Sequence, residues 1–187
     1  MRSGRRLQRR PAPNDRFSER VFTLVWISLF LAAALTALDQ TLKTLVVATV
    51  KPVGSVSVIP GLLTWRYSEN TGAAFGMMQN CRWIFLVVTI VLMSGCLYVL
   101  VKYFRRNAYA CFVLALILSG GLGNMIDRVL QGYVVDYIYL SFFPAIFNFA
   151  DCCVVLGAIL AVVGYLISER RSVKKAANPE ASDHESA

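Results

Sequence analysis

VFTLVWISLFLAAALTAL, Val21 to Leu38, runs for eighteen residues without a charge. That approaches the roughly 20 residues a helix needs to cross a ~30 Å hydrocarbon core. Ala32, Ala33 and Ala34, behind an apolar stretch, imitate the cleavage site of a secretory leader. The apolar pattern continues unbroken to Leu38, however, so the segment reads as a retained membrane helix. Three further runs have the same character: Trp83 to Val101, Asn107 to Ile126 and Cys152 to Ser168. The expected fold class is therefore an all-α polytopic membrane protein with four transmembrane helices.

Composition agrees. Hydrophobic residues make up 57% of the chain and charged ones 16%, far from a soluble balance. The net charge of +8 does not point to nucleic acid, because of where the charge sits. Seven arginines precede Val21; Lys102, Arg105 and Arg106 separate the second and third runs; Arg170, Arg171, Lys174 and Lys175 follow the fourth. Four crossings put all of these on one side, the positive-inside pattern with both termini cytoplasmic. Contact with anionic lipid is a second use of the same charge. The five cysteines, 81, 96, 111, 152 and 153, show no metal spacing and no paired framework, and read as small packing residues.

The division that follows is a basic disordered tail over 1–20, a membrane domain over 21–168, and a second disordered tail over 169–187 holding the only histidine, His184. Within the membrane domain, about 44–80 is rich in β-branched residues and broken by Pro52, Gly54, Pro60 and Gly61. It is too polar to cross a bilayer and predicts a small extracytoplasmic β-sheet between the first and second helices.

Acidic residues near membrane depth usually mark chemistry or a substrate path. On the outer side they are Asp39, Glu69, Asp127, Asp136 and Asp151. Asp39 has Lys43 one helical turn away, which reads most simply as a surface ion pair. Glu69 has Arg66 nearby and Asp127 adjoins Arg128. Asp136 and Asp151 have no cation within seven residues, and the fourteen residues between them carry no charge and six tyrosines or phenylalanines. Unpaired carboxylates in apolar surroundings have raised pKa values, and two brought together tend to share a proton. That is the arrangement of an aspartic protease dyad. Asn148 stands three residues before Asp151 as a candidate N-cap, with Pro144 as a competing helix start; the cap would put Asp151 in a first turn, where the helix dipole favours its ionised form. Ordinary polar groups facing an internal cavity, a small proton-coupled transporter or channel, and a structural membrane subunit are alternative readings of the same acids.

Five stretches together resemble the lipoprotein signal peptidases, or signal peptidases II: DQTLK at 39–43, NTGAAFG at 70–76, GGLGNMIDR at 120–128, GYVVDYI at 132–138 and FNFAD at 147–151. The resemblance covers roughly Val21 to Ser168. It implies an aspartic endopeptidase of the bacterial inner membrane with Asp136 and Asp151 as the catalytic pair. It also implies supporting roles, around substrate or dyad, for Asp39, Lys43, Asn70, Gly123, Asn124, Arg128 and Asn148. The implied substrate is a prolipoprotein bearing a diacylglyceryl-modified cysteine, cut just before that cysteine. Its acyl chains would lie between helices, where small residues of the third helix make room, and its peptide along the outer sheet. The aromatics between Asp136 and Asp151 would form a lid. No metal or cofactor is implied, and globomycin-like cyclic peptides are implied inhibitors. Ser119-Gly120-Gly121 departs from the family's usual Gly-Gly-Ala, and the segment between the two aspartates is short.

Overall fold

The computed structural model describes residues 13–72, 82–99, 102 and 107–177. These residues form four helices, α1 (Pro13–Thr49), α2 (Arg82–Val99), α3 (Ala108–Leu130) and α4 (Phe149–Ala177), and two pairs of strands, β1 (Ser55–Ile59) and β2 (Leu63–Asn70) between α1 and α2, and β3 (Val134–Leu140) and β4 (Ile146–Phe147) between α3 and α4. Helix α3 is central, packing most extensively on α4 and α1 and less on α2. The strands form one antiparallel sheet in the order β1-β2-β3-β4.

Among the described residues three helices are long and apolar enough to cross a membrane: Phe22–Thr49, Ala108–Leu130 and Phe149–Val173, with Leu86–Tyr98 a shorter apolar stretch within α2. Their outward faces are apolar. Val87, Val91 and Leu92 of α2, and Ile159 and Val162 of α4, are exposed. The interior, by contrast, holds Ser28, Thr36, Asp39, Lys43, Ser119, Asp127, Asp136 and Asn148. In lipid the hydrophobic effect does not hold helices together, so close packing and interhelical hydrogen bonds must. Thr36 Oγ1 shares its proton between the Ala32 carbonyl of its own helix at 2.9 Å and the Ser119 carbonyl of α3 at 3.2 Å. At Gly120 a Cβ would run into the Ala150 carbonyl and Val154, and at Gly157 it would meet Ile117 Cγ1 at 2.7 Å. Glycine at these points lets α3 and α4 touch backbone to backbone, so Gly120 is used for helix packing and does not open room for acyl chains.

Two boundaries differ from expectation. Helix α1 is already formed at Pro13, inside the expected basic tail, and continues through Asp39 and Lys43 to Thr49. The β-branched stretch after Thr44 is thus helical at first. Leu42, Val46 and Val50 recur every four residues and dock on Val135 and Tyr137 of β3, so tertiary packing overrides local strand preference. The turn ahead of Pro52 then ends the helix. At the other end α4 persists to Ala177, past the expected boundary at 168. His184 lies outside the described residues.

The sheet is also assembled differently. β1 and β2 come from the segment between the first two helices, joined by Pro60-Gly61 with Gly61 at φ +76 and Leu62 N–H donating to the Ile59 carbonyl at 3.0 Å. Those are the requirements of a type II turn. β3, which carries Asp136, and β4 take up much of the segment leading to Asp151, whose aromatics were expected to form a lid. β3 pairs with β2 in a register that sets Ser68 opposite Asp136 and Asn70 opposite Val134. One sheet therefore ties the α1–α2 insert to the strand bearing Asp136.

Candidate active site

Asp136 sits on β3 and Asp151 in the first turn of α4, and the chain brings them to one cavity. Its volume is about 1000 Å³, and both aspartates line it with Asn70, Arg128, Phe142, Phe143 and Phe147 among others. Each carboxylate has both oxygens occupied by an N–H donor. Asp136 Oδ1 accepts from Asn148 Nδ2 at 2.6 Å and Oδ2 from Asn70 Nδ2 at 2.9 Å. Asp151 Oδ1 accepts from Asn124 Nδ2 at 2.7 Å and Oδ2 from the Asn148 backbone N–H at 3.1 Å.

Asn148 is the hinge of the arrangement. Its Oδ1 accepts from the Asp151 N–H at 3.0 Å while the Asp151 side chain reaches back to the Asn148 N–H. This reciprocal pair is a capping box, so the N-cap expected from sequence is present, and Pro144 lies ahead of β4 instead of starting the helix. The Asn148 amide is then free to hold Asp136, which makes one fully buried residue the link between both carboxylates. Asn70 is oriented by an Asx turn, its Oδ1 accepting from Gly72 N–H at 3.0 Å; the remainder of the motif, 73–76, lies outside the described residues.

Burial, followed by the charge of Asp151, pushes the Asp136 carboxyl up from its ordinary range to about 7. The Asn70 and Asn148 amides oppose the rise. Asp136 is thus suited to carry a proton near neutral pH, and Asp151 lies in the first turn of α4, at the positive end of the helix dipole.

Asp39 and Lys43 are not a surface pair. Their side chains are 1% and 4% exposed, 2.8 Å apart, and Lys43 makes a second bridge to Asp127 at 2.9 Å. The expectation failed because i, i+4 spacing says nothing about what covers a pair, and here α3 covers it. Asp127 pairs with Lys43, although Arg128 is its sequence neighbour. Glu69 likewise pairs with Lys51 at 3.0 Å instead of relying on Arg66; the Tyr67 hydroxyl, then Lys51, hold its carboxyl below the usual range. Lys43 Nζ also donates to Asn124 Oδ1 at 3.0 Å, orienting the amide that holds Asp151. Arg128 lines the cavity and donates to the Asn124 carbonyl at 3.3 Å.

Gly123 has a spacing role: a Cβ there would lie 2.5 Å from Asp39 Oδ2 and 3.2 Å from Ala150 Cβ. Gly123→Ala is expected to destabilise the protein by about 1–3 kcal/mol through overpacking, read as a lower thermal midpoint in detergent. An unchanged midpoint would contradict this packing. Gln40 and Asp127 are the residues sequence reasoning missed. The signal for Gln40 was available: it sits beside Asp39 in a helix rich in apolar residues. Among the described residues no group of three or more His, Cys, Asp or Glu is placed to hold a metal ion.

The fold and site define a class, a helical membrane protein with one buried and one half-buried carboxylate held by amides at one cavity. Comparison with known proteins narrows it. The signal peptidase (SPase) II profile matches residues 31–167. The lipoprotein signal peptidase of Caldanaerobacter subterraneus subsp. tengcongensis is 43% identical over 141 residues, 75% of this chain and 95% of that protein. That of Symbiobacterium thermophilum is 37% identical over 149 residues, 78% and 97% of the two chains. A bacterial membrane enzyme solved by the in meso method at 2.3 Å resolution superposes with TM-score 0.71 at 34% identity, covering 76% of this chain and 89% of its own. The chain belongs to the signal peptidase II family and is a multi-pass membrane protein, which favours peptide hydrolysis over the transporter or channel reading.

Proposed function

We propose that this protein is an aspartic endopeptidase that removes the signal peptide from diacylglyceryl-modified prolipoproteins, cutting before the lipidated cysteine, with Asp136 and Asp151 as its catalytic pair. The observation that carries this reading is the shared Asn148, which holds one carboxylate by its side chain and the other by its backbone at the wall of a single cavity.

In the mechanism, Asp151 as carboxylate accepts a proton from the water that attacks the scissile carbonyl, and protonated Asp136 donates to the carbonyl oxygen. A tetrahedral diol results. Collapse breaks the C–N bond: the proton held by Asp151 passes to the leaving amine, and Asp136 recovers its proton from the diol hydroxyl. The products are the signal peptide's carboxyl end and the amine of the lipidated cysteine. All four carboxylate oxygens are pinned by amide donors, so little reorganisation accompanies proton transfer. Phe142, Phe143 and Phe147 line the cavity, and the rings of Phe143 and Phe147 meet edge to face at 6.1 Å between centroids; closing over a bound substrate, they would exclude bulk water and strengthen these interactions.

The membrane arrangement we infer has four spans, with α2 as the fourth, both termini in the cytoplasm and the cavity near the outer face of the bacterial inner membrane. It rests on the positive-inside charge pattern. Lipidated substrate then arrives laterally, and globomycin-like peptides would compete at the same cavity. The direct test incubates purified protein in detergent with a diacylglyceryl prolipoprotein and reads the product by mass spectrometry. A new amino terminus at the lipidated cysteine is expected; intact substrate would reject the function.

The pH dependence follows from Asp136. Activity that needs its proton is present below its folded-state pKa and is lost as pH rises through about 7. Because Asn70 holds that pKa down, Asn70→Ala is expected to move the alkaline limb of kcat to higher pH. A limb that stays in place or moves down would contradict the assignment of Asp136 as the acid.

A further inference from the structure

Behind the two carboxylates lies a second cluster whose purpose the proposed chemistry leaves unexplained. Asp39, Lys43 and Asp127 are buried together, an arrangement that stabilises little by itself, since desolvating ions costs about as much as their attraction returns. Its hydrogen bonds are nonetheless complete. Lys43 Nζ uses all three of its protons, on Asp39 Oδ2 at 2.8 Å, Asp127 Oδ2 at 2.9 Å and Asn124 Oδ1 at 3.0 Å. Gln40 Nε2 donates to Asp127 Oδ1 at 3.0 Å and to the Gly123 carbonyl at 3.1 Å, with Asp39 Oδ2 at 3.3 Å.

The two remaining acceptor contacts go to backbone, and their addresses matter. Asp127 Oδ2 accepts from the Val135 N–H at 3.1 Å, and Asp39 Oδ1 accepts from the Ala150 N–H at 3.0 Å. Val135 immediately precedes Asp136, and Ala150 immediately precedes Asp151. One ammonium thus joins two carboxylates, each of which grips the peptide group one residue ahead of a cavity aspartate.

We propose that Asp127 and Gln40, with Asp39 and Lys43, form a clamp that sets the separation of Asp136 and Asp151 by holding the backbone N–H of the residue before each. Asp127 and Gln40 are positioning residues: neither lines the cavity, and both act through β3 and through the Lys43 and Asn124 side chains. The clamp explains why the ions are retained in an apolar interior. β3 and α4 are distant in sequence from α1, and only a charged, directional group on α1 and α3 fixes both to one reference. Gln40 closes the ring by tying Asp127 to α1, which keeps its carboxylate aimed at Val135.

The inference rests on the proposed peptidase reading only for its activity readout. Two variants test it, Asp127→Asn and Gln40→Leu, the second leaving every charge in place and protecting the test against a misfolded Asp127→Asn. Both are expected to lower kcat on a diacylglyceryl prolipoprotein by about 10- to 100-fold, the effect of ~1 Å misplacement of reacting groups, while KM stays within about twofold. The alkaline limb of kcat should also move to lower pH. Asp136 is faced by Asp151 of α4, Lys43 of α1, Arg128 of α3, and the Asn70 and Asn148 amides; widening the pair weakens the effect of Asp151, which raises it. In Gln40→Leu that shift cannot come from a changed charge.

Hydrogen–deuterium exchange supplies a readout independent of activity. Peptides containing Val135 and Ala150 should exchange faster in both variants, with the C-terminal half of α4 unchanged as control. A Gln40→Leu protein with wild-type kcat, pH profile and exchange overturns the clamp, as does a loss carried by KM alone with unchanged exchange. Should wild type cleave nothing, the peptidase reading fails, and the clamp stands or falls on exchange at Val135 and Ala150.

Discussion

Asp136→Asn and Asp151→Asn are each expected to lower kcat on a lipidated prolipoprotein by about 10²–10⁴-fold, the usual contribution of a positioned acid or base. The double variant should be little worse than either single one, because residues that act as a unit do not contribute additively. Asparagine is close in shape but not in hydrogen bonding. Asp136 accepts on both oxygens from the amides of Asn148 and Asn70, and Asp151 accepts on both from Asn124 and the Asn148 backbone. In either variant one N–H now faces an NH₂, and the lost acceptor costs about 1–3 kcal/mol. A protonated aspartic acid has no such conflict: its hydroxyl oxygen accepts from the amide while its proton points to the substrate. Thermal midpoints measured alongside kcat separate the two effects, since a loss of 10²-fold or more in a protein still folded at assay temperature belongs to the chemistry. Residual activity within about tenfold of wild type in either single variant would remove that residue from the reaction.

The largest stability loss is expected at Lys43. Lys43→Met keeps the length of the side chain but leaves Asp39 and Asp127, each about 1% exposed, without their common counter-charge. Breaking a buried ion pair from one side costs about 3–5 kcal/mol. For a chain of this size that is a fall of roughly 6–20 °C in the thermal midpoint, measured in detergent by loss of monodisperse protein. Burial shields the pair from counterions, so the loss should persist at high salt. Adding Asp127→Asn to Lys43→Met removes one stranded charge and should recover part of the loss. A midpoint within a degree or two of wild type would show that the cluster is not the buried, closed unit its distances describe.

These two expectations draw on different parts of the chain. Asp136 and Asp151 stood out without any coordinates, because they alone among the outer-side acids lacked a nearby cation and bracketed an uncharged aromatic span. Asn148 was legible for a similar reason: an Asn three residues before an Asp is a capping signature, and the cap is made. Asp127 was not. In sequence it sits beside Arg128, and its actual partner, Lys43, is brought to it by the packing of α1 on α3. Glu69 was misassigned to Arg66 for the same reason; Lys51 reaches it from the end of α1 across β2.

The membrane character, the apolar helices and the choice of the two aspartates as candidates came from the sequence itself, because hydropathy, charge placement and missing counter-charges are local properties. What only the tertiary structure decided was how the segment from Gly132 to Asp151 is used. Its aromatics were expected to form a lid, yet Val135 and Tyr137 face the Leu42-Val46-Val50 stripe of α1 while β2 supplies the hydrogen bonds. Strand pairing and ion-pair choice depend on which surfaces meet, and that is set by the glycine-mediated closeness of α3 to α4 and by the burial of Lys43 between α1 and α3, neither of which any single stretch encodes.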